Sequence, residues 1–203
     1  MSSTSDETED MIRAESGGSL ILPERNLVMR GLIHIYTGDG KGKTTAAVGL
    51  GVRACGQGMR VLMVQFLKSM PTGEMYSLKK LEPGFVLYRG TDTKKFTWQM
   101  NDEEKSQAAA QQRAIFHHAV SAAVNGECDM LIMDEVMGAL SSGMIDMESL
   151  LRFISAKPEK LELILTGRDA PAELIGVTDY VSEIRAVKHP AQKGISARKG
   201  VEY

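Results

Sequence analysis

The chain of 203 residues is poor in cysteine and in long apolar runs, and each shortage removes a class of function. Its two cysteines, Cys55 and Cys128, have the spacing of neither a metal knuckle nor a disulfide framework. Both read as small buried thiols suited to a reducing cytosol. No stretch approaches the roughly 20 consecutive apolar residues that a membrane helix needs. The amino terminus, MSSTSDETED, is acidic and polar, whereas an export signal starts basic and continues apolar. A cytoplasmic protein with no membrane partner is expected. A large excess of one charge is also missing: the formal net charge is -2, so no global basic field draws nucleic acid.

What is present suits one globular domain, with 43% hydrophobic and 25% charged residues. Residues 1–29 read as a mobile arm: a Ser/Thr/Asp/Glu-rich start, a Gly17-Gly18 break and a short apolar patch at Leu20 to Leu22. The folded domain is expected to cover residues 30–203.

Within it, strand-like and helix-like segments alternate. Leu32 to Thr37 is β-rich, a glycine-rich turn follows, and Lys43 to Cys55 has the small and apolar residues of a closely packed helix. Val61 to Phe66 is a second apolar run of strand length, and Phe85 to Tyr88 reads as a short strand. Asn101 or Asp102 caps a long alanine-rich helix that breaks at Asn125-Gly126. Met130 to Met133 and Leu161 to Leu165 read as buried parallel strands. Between them Asp146 caps a helix through Ala156, and a last strand lies near Tyr180 to Ile184. The alternation predicts an α/β fold of three layers, a doubly wound and mostly parallel sheet, with its ligand site at the carboxyl ends of the strands.

The segment Thr37 to Thr45, TGDGKGKTT, lies between the first strand and the first helix and ends in Gly-Lys-Thr. That ending belongs to the P-loop pattern, and the fold is accordingly expected to be of the P-loop, RecA-like type. Glycines let backbone N–H groups turn around phosphate oxygens, Lys43 brings an ammonium to them, and the Thr44 hydroxyl reaches Mg²⁺. The full G-x-x-x-x-G-K-[ST] spacing requires glycine at 37, where this chain has Thr37. Asp134-Glu135 ends an apolar strand, so one or two carboxylates are expected near the P-loop metal. The same pair also suits the start of a following short helix. Arg53 is ten residues beyond Lys43, nearly three helical turns from the loop, and reads as a solvated arginine. His34, His117, His118 and His189 lack metal-ligand spacing and read as structural or solvent-facing.

Several segments in order, TGDGKGKTTAA, VQFLK (Val64 to Lys68), FTW (Phe96 to Trp98), MDE (Met133 to Glu135), LTGR (Leu165 to Arg168) and VKHP…GI…KG-x-EY, resemble one family. It is the P-loop type of ATP:corrinoid adenosyltransferase, and the resemblance runs from about Gly31 to Tyr203. It implies transfer of the 5′-deoxyadenosyl group of ATP to the Co(I) of a reduced corrinoid, with release of triphosphate. By the same resemblance Gly38, Asp39, Gly40, Lys41, Gly42, Lys43, Thr44 and Thr45 bind polyphosphate, Thr44 and Glu135 hold Mg²⁺, and Arg53 becomes a phosphate contact. Phe96 and Trp98 take the lower face of the corrinoid, where rings that exclude an axial ligand ease reduction of Co(II). Otherwise these two aromatics read as loop anchors. A homodimer and an electron-donor protein such as a flavodoxin are implied as partners.

The chain departs from the family pattern at Asp39, where Asn is usual, after Glu135 (VMGAL), and in the tail AQKGISARKG. A hydrolytic or phosphotransferase P-loop enzyme and a non-catalytic ATP or corrinoid sensor are the alternative readings, separated by the product formed.

Overall fold

The computed structural model describes residues 30–68, 70–90 and 101–202. The arm at residues 1–29 and the pair Phe96 and Trp98 lie outside the described residues, as does Tyr203. Six strands form one sheet: β1 (Ile33–Thr37), β2 (Val61–Gln65), β3 (Phe85–Tyr88), β4 (Met130–Asp134), β5 (Glu162–Thr166) and β6 (Tyr180–Glu183), in the order β3-β2-β4-β5-β1-β6. Every pairing is parallel. The helices are α1 (Lys43–Gly56), α2 (Gly73–Leu78), α3 (Asp102–Val124), α4 (Val136–Ser141), α5 (Met147–Ala156) and α6 (Ala172–Ile175).

Parallel strands need crossovers, and the crossovers cover both sheet faces. On one face Met63, Ile132 and Ile164 pack with Ala47 and Ala54 of α1 and Leu78 of α2. On the other, Leu62, Val64, Leu131, Met133, Leu163 and Leu165 pack with Ile115 and Phe116 of α3, Val136 of α4 and Leu150 of α5. The two sets alternate along each strand, as the pleat requires. All five residues of β4 are buried, whereas all four of β6 are exposed.

The expected strands and the three longer helices form within a residue or two of their predicted ends. Asn101 caps α3 through a reciprocal box: its side chain accepts from Glu104 N–H at 2.9 Å, and Glu104 accepts from Asn101 N–H at 3.0 Å. Asp146 caps α5 by accepting from Ser149 N–H at 2.7 Å. The short helices α2 and α6 had no sequence reading, because four to six residues are too few for a helical period to show.

Two neighbours make β1 central to the site. β5 lies between β1 and β4, so the strand that leads into the glycine loop and the strand that ends in Asp134 are about 9.6 Å apart, two inter-strand spacings. β6 flanks β1 on the other side and sends the carboxy-terminal segment over the loop.

Candidate nucleotide site

The loop is fastened at both ends by the chain itself. Thr37, in the place where the P-loop pattern has its first glycine, accepts the N–H of Ala170 on its hydroxyl at 3.1 Å. Its carbonyl accepts the N–H of Ile184 at 2.8 Å. The glycine requirement moves to Gly38, whose φ of 103° is one that L side chains rarely adopt. A Cβ there would stand 2.4 Å from the carbonyl oxygen of Ile184. Gly40 N–H donates to that carbonyl at 2.8 Å, and Asp39 accepts the N–H of Ala186 at 3.0 Å. The Ala186 N–H holds the Asp39 carboxyl below its ordinary pKa.

Lys43 is 7% exposed and donates to the carbonyls of Gly38 and Gly40 at 2.7 and 2.8 Å, closing the loop around its own ammonium. Burial lowers its pKa from the usual lysine value, against the opposing influence of Glu135. Gly42 caps α1 without a side-chain bond, so the first N–H groups of this 14-residue helix face the loop with no side-chain acceptor.

Three neighbouring strands end in buried polar residues. Gln65 of β2 stands opposite Asp134 of β4, and Thr166 of β5 is one step beyond the Met133–Leu165 pair, so the three form a row across the sheet. Asp134 is fully buried, and its charge is met entirely by donors. Thr44 donates to its Oδ1 at 2.8 Å, Thr166 to the same oxygen at 2.7 Å, and Gln65 Nε2 to Oδ2 at 3.1 Å. Lys68 Nζ stands 3.9 Å from Oδ2. Thr166 therefore bridges the strand gap: its oxygen also accepts Glu135 N–H at 2.9 Å. That bond helps hold Glu135 at a left-handed φ of 61°, which turns the chain from β4 into α4.

Above this row opens a cavity of about 660 Å³, within the usual range of about 300–1,000 Å³ for small-molecule sites. Asp39 through Thr45 line it together with Glu135, which brings seven of the eight expected loop positions and the expected acid to one place; Gly38 lies beneath, against Ile184. Sequence reasoning missed Lys68, Glu74, Arg168 and Glu202, which also line it. Lys68 and Arg168 closed two of the motifs quoted above, but a lone cation after a strand carries no signal of its own. A usable signal did exist for Gln65 and Thr166: each is a polar residue that closes an apolar run.

His189 has the expected structural role, capping a short 3-10 turn, Pro190–Lys193, by accepting Ala191 N–H at 3.2 Å, and it also lines the cavity. Arg53, assigned to phosphate by resemblance, is exposed on α1 and is not part of the cavity wall; ten residues of helix put it about 15 Å beyond Lys43. Thr44, paired by resemblance with Glu135, is hydrogen-bonded to Asp134. Of the other histidines, His117 is solvent-facing on α3. His34 bonds Glu162 at 2.5 Å and stacks on Tyr180, and His118 packs on Tyr88. Cys128 is buried, which pushes its thiol up to about 11 and leaves it inert. No helix among the described residues is long and apolar enough to cross a membrane.

Comparison with known proteins agrees with this geometry. Residues 29–203 match the sequence profile of the family described as ATP:corrinoid adenosyltransferase BtuR/CobO/CobP. The chain is 35% identical over 175 residues to the corrinoid adenosyltransferase of Escherichia coli (strain K12), covering 86% of each chain. It is equally similar to corrinoid adenosyltransferase CobA of Salmonella typhimurium, at 35% identity and 86% of each chain. A corrinoid adenosyltransferase of Sinorhizobium sp is 37% identical over 176 residues, 86% of this chain and 81% of the relative. The chain belongs to the ATP:corrinoid adenosyltransferase family.

Proposed function

We propose that the cavity holds MgATP by its polyphosphate and presents C5′ to the Co(I) of a reduced corrinoid. Cobalt attacks C5′, the cobalt–carbon bond forms, the C5′–oxygen bond breaks, and triphosphate leaves with the electron pair. The nucleophile is a metal electron pair, so no protein base is needed to activate it. What the protein supplies is position and charge: Gly38, Asp39, Gly40, Gly42 and Thr45 shape the loop, while Lys41, Lys43, Lys68 and Arg168 offset the charge of the leaving triphosphate.

The observation that carries this reading is the bond from Thr44 to the buried Asp134 at the mouth of a lysine-rich glycine loop. Hydroxyl and carboxylate oxygens side by side suit a hard divalent cation. Thr44, Asp134 and Glu135 would hold Mg²⁺, which when bound neutralises phosphate charge. Asp39 keeps the acceptor that Asn offers at this position, and its bond to Ala186 turns the carboxylate to a structural use. We assign Phe96 and Trp98 to the corrinoid's lower face, and propose a homodimer, an electron-donor protein such as a flavodoxin, and a cytoplasmic setting.

The test incubates the protein with MgATP and chemically reduced cob(I)alamin, following the light-sensitive cobalt–carbon bond by absorbance and assaying triphosphate. Equal amounts of both are expected. ADP and phosphate formed without corrinoid would instead make the protein a hydrolase. Trp98→Ala should impair the reaction from Co(II) more than from supplied Co(I), and equal losses would remove the axial-ligand role.

A further inference from the structure

Beside the cationic loop, the cavity has a second wall of different character, formed by the start of α2, where Glu74 is the charged group. Burial opposes ionisation of Glu74, but hydrogen bonds from its own backbone and from Gln65, together with nearby Lys68, hold its carboxyl below the ordinary value. The carboxylate is thus kept charged close to the place where polyphosphate would lie.

Gln65 explains its position and raises a question. The side chain is 1% exposed, and its Nε2 donates to Asp134 Oδ2 at 3.1 Å and to Glu74 Oε1 at 3.3 Å. Turning the amide over would set its oxygen against two carboxylates, so the orientation is forced. The oxygen Oε1 of the same amide is then buried without a donor. A buried acceptor left unmet next to a cavity-lining carboxylate marks a place where something else donates.

We infer that Glu74, positioned by Gln65, is a further binding residue for the divalent cation, accepting hydrogen bonds from the ion's water shell. This rests on the nucleotide reading above. A small hard cation dehydrates reluctantly and keeps several waters when it binds phosphate. Those waters are donors. Asp134 already receives Thr44, Thr166 and Gln65, so beyond Thr44, Asp134 and Glu135 the next acceptor for the ion's waters along this chain is the Glu74 carboxylate. The continuous chain Thr44–Asp134–Gln65–Glu74 ties the ion's place at the loop to α2. Glu74 also offsets the cationic loop, which would otherwise retain bare polyphosphate.

Manganese, followed by electron paramagnetic resonance, serves as the probe on the full chain with either inorganic triphosphate or ATP. Glu74→Gln should weaken manganese retention by about tenfold, the low end of the effect of outer-shell ligands. The loss should be equal with triphosphate and with ATP, and metal-free triphosphate should bind at least as well as before. Glu74→Asp, which keeps the charge, should recover most of the affinity. Unchanged manganese affinity in Glu74→Gln would overturn the inference, and so would a loss seen with ATP alone, which would make Glu74 a sugar contact. Failure of the unsubstituted protein to retain manganese with triphosphate would overturn the nucleotide reading itself, and the inference with it.

Discussion

Two lysines make nearly the same contacts at opposite ends of the sheet. Lys157, at the amino end, donates to the carbonyls of Gly31 and Leu161 at 2.8 and 2.9 Å. Lys43, at the carboxyl end, donates to the carbonyls of Gly38 and Gly40 at 2.7 and 2.8 Å. Burial lowers both pKa values. The difference is in their surroundings. Lys157 faces Glu162 and Asp179, whose carboxylates also accept the N–H groups of Leu32 and Ile33 at the start of β1, so its charge is balanced within the fold. Lys43 also has carboxylates near it, Glu135, Asp39 and Asp134, but it opens on a cavity shared with Lys41, Lys68 and Arg168. The same bonds fasten a strand at one end and keep an anion site open at the other.

The comparison breaks most visibly at the lysines themselves. Lys43→Ala removes a charge-assisted phosphate contact of about 1.5–3 kcal/mol, so MgATP affinity measured by calorimetry should fall about 10- to 100-fold. Lys157→Met should leave that affinity alone and lower the unfolding free energy by about 1–3 kcal/mol, because two buried carbonyls lose their donor. A nucleotide defect in Lys157→Met would erase the distinction. Gly38→Ala tests the carboxyl end a second way. It forces an L residue to a φ of 103° and a Cβ onto Ile184, for about 1–3 kcal/mol of denaturant stability. Gly49→Ala on the exposed face of α1, where a Cβ meets nothing within 4 Å, should instead stabilise by about 0.5–1 kcal/mol.

A pH series sharpens the amino end. Burial raises and the bond to His34 lowers the Glu162 carboxyl, with a net shift below the ordinary value. A carboxyl depressed by folding stabilises above its unfolded pKa and loses that contribution as pH falls through the folded one. The stability gap between the native chain and Glu162→Gln should be full at pH 7 and shrink below about pH 4.3. The smallest expected effect is at Arg53. If α1 keeps it clear of the loop, Arg53→Ala leaves MgATP affinity within about twofold, as exposed substitutions usually do; a tenfold loss would restore it as a phosphate contact.

Much of this was legible in the sequence because it depends on period and punctuation. Apolar runs bounded by glycine located the strands, and Asn101 and Asp146 announced helix starts that their side chains do cap. The glycine loop, Thr44 and the Asp134-Glu135 pair were read as one site, and they meet. What escaped was whatever depends on pairing between distant segments. Nothing local says that β5 separates β1 from β4, and so nothing local gives Thr166 its bridge. Asp39 reads as a charge beside phosphate until Ala186, 147 residues away, is found on its oxygen. Arg53 divides the two kinds of reading: helix geometry puts it in solvent and resemblance puts it on phosphate, and the structure exposes it on α1.

The clasp between the glycine loop and Ile184 and Ala186 bears on synthesis as well as on binding. The loop is made early, yet its hydrogen-bonded edge is made late: Thr37, Asp39 and Gly40 all wait for partners more than 140 residues downstream. A ribosome-bound chain that has not yet released this segment carries the whole phosphate motif without the backbone that shapes it. Products arrested before residue 184 would thus present the phosphate motif without the clasp that sets its shape.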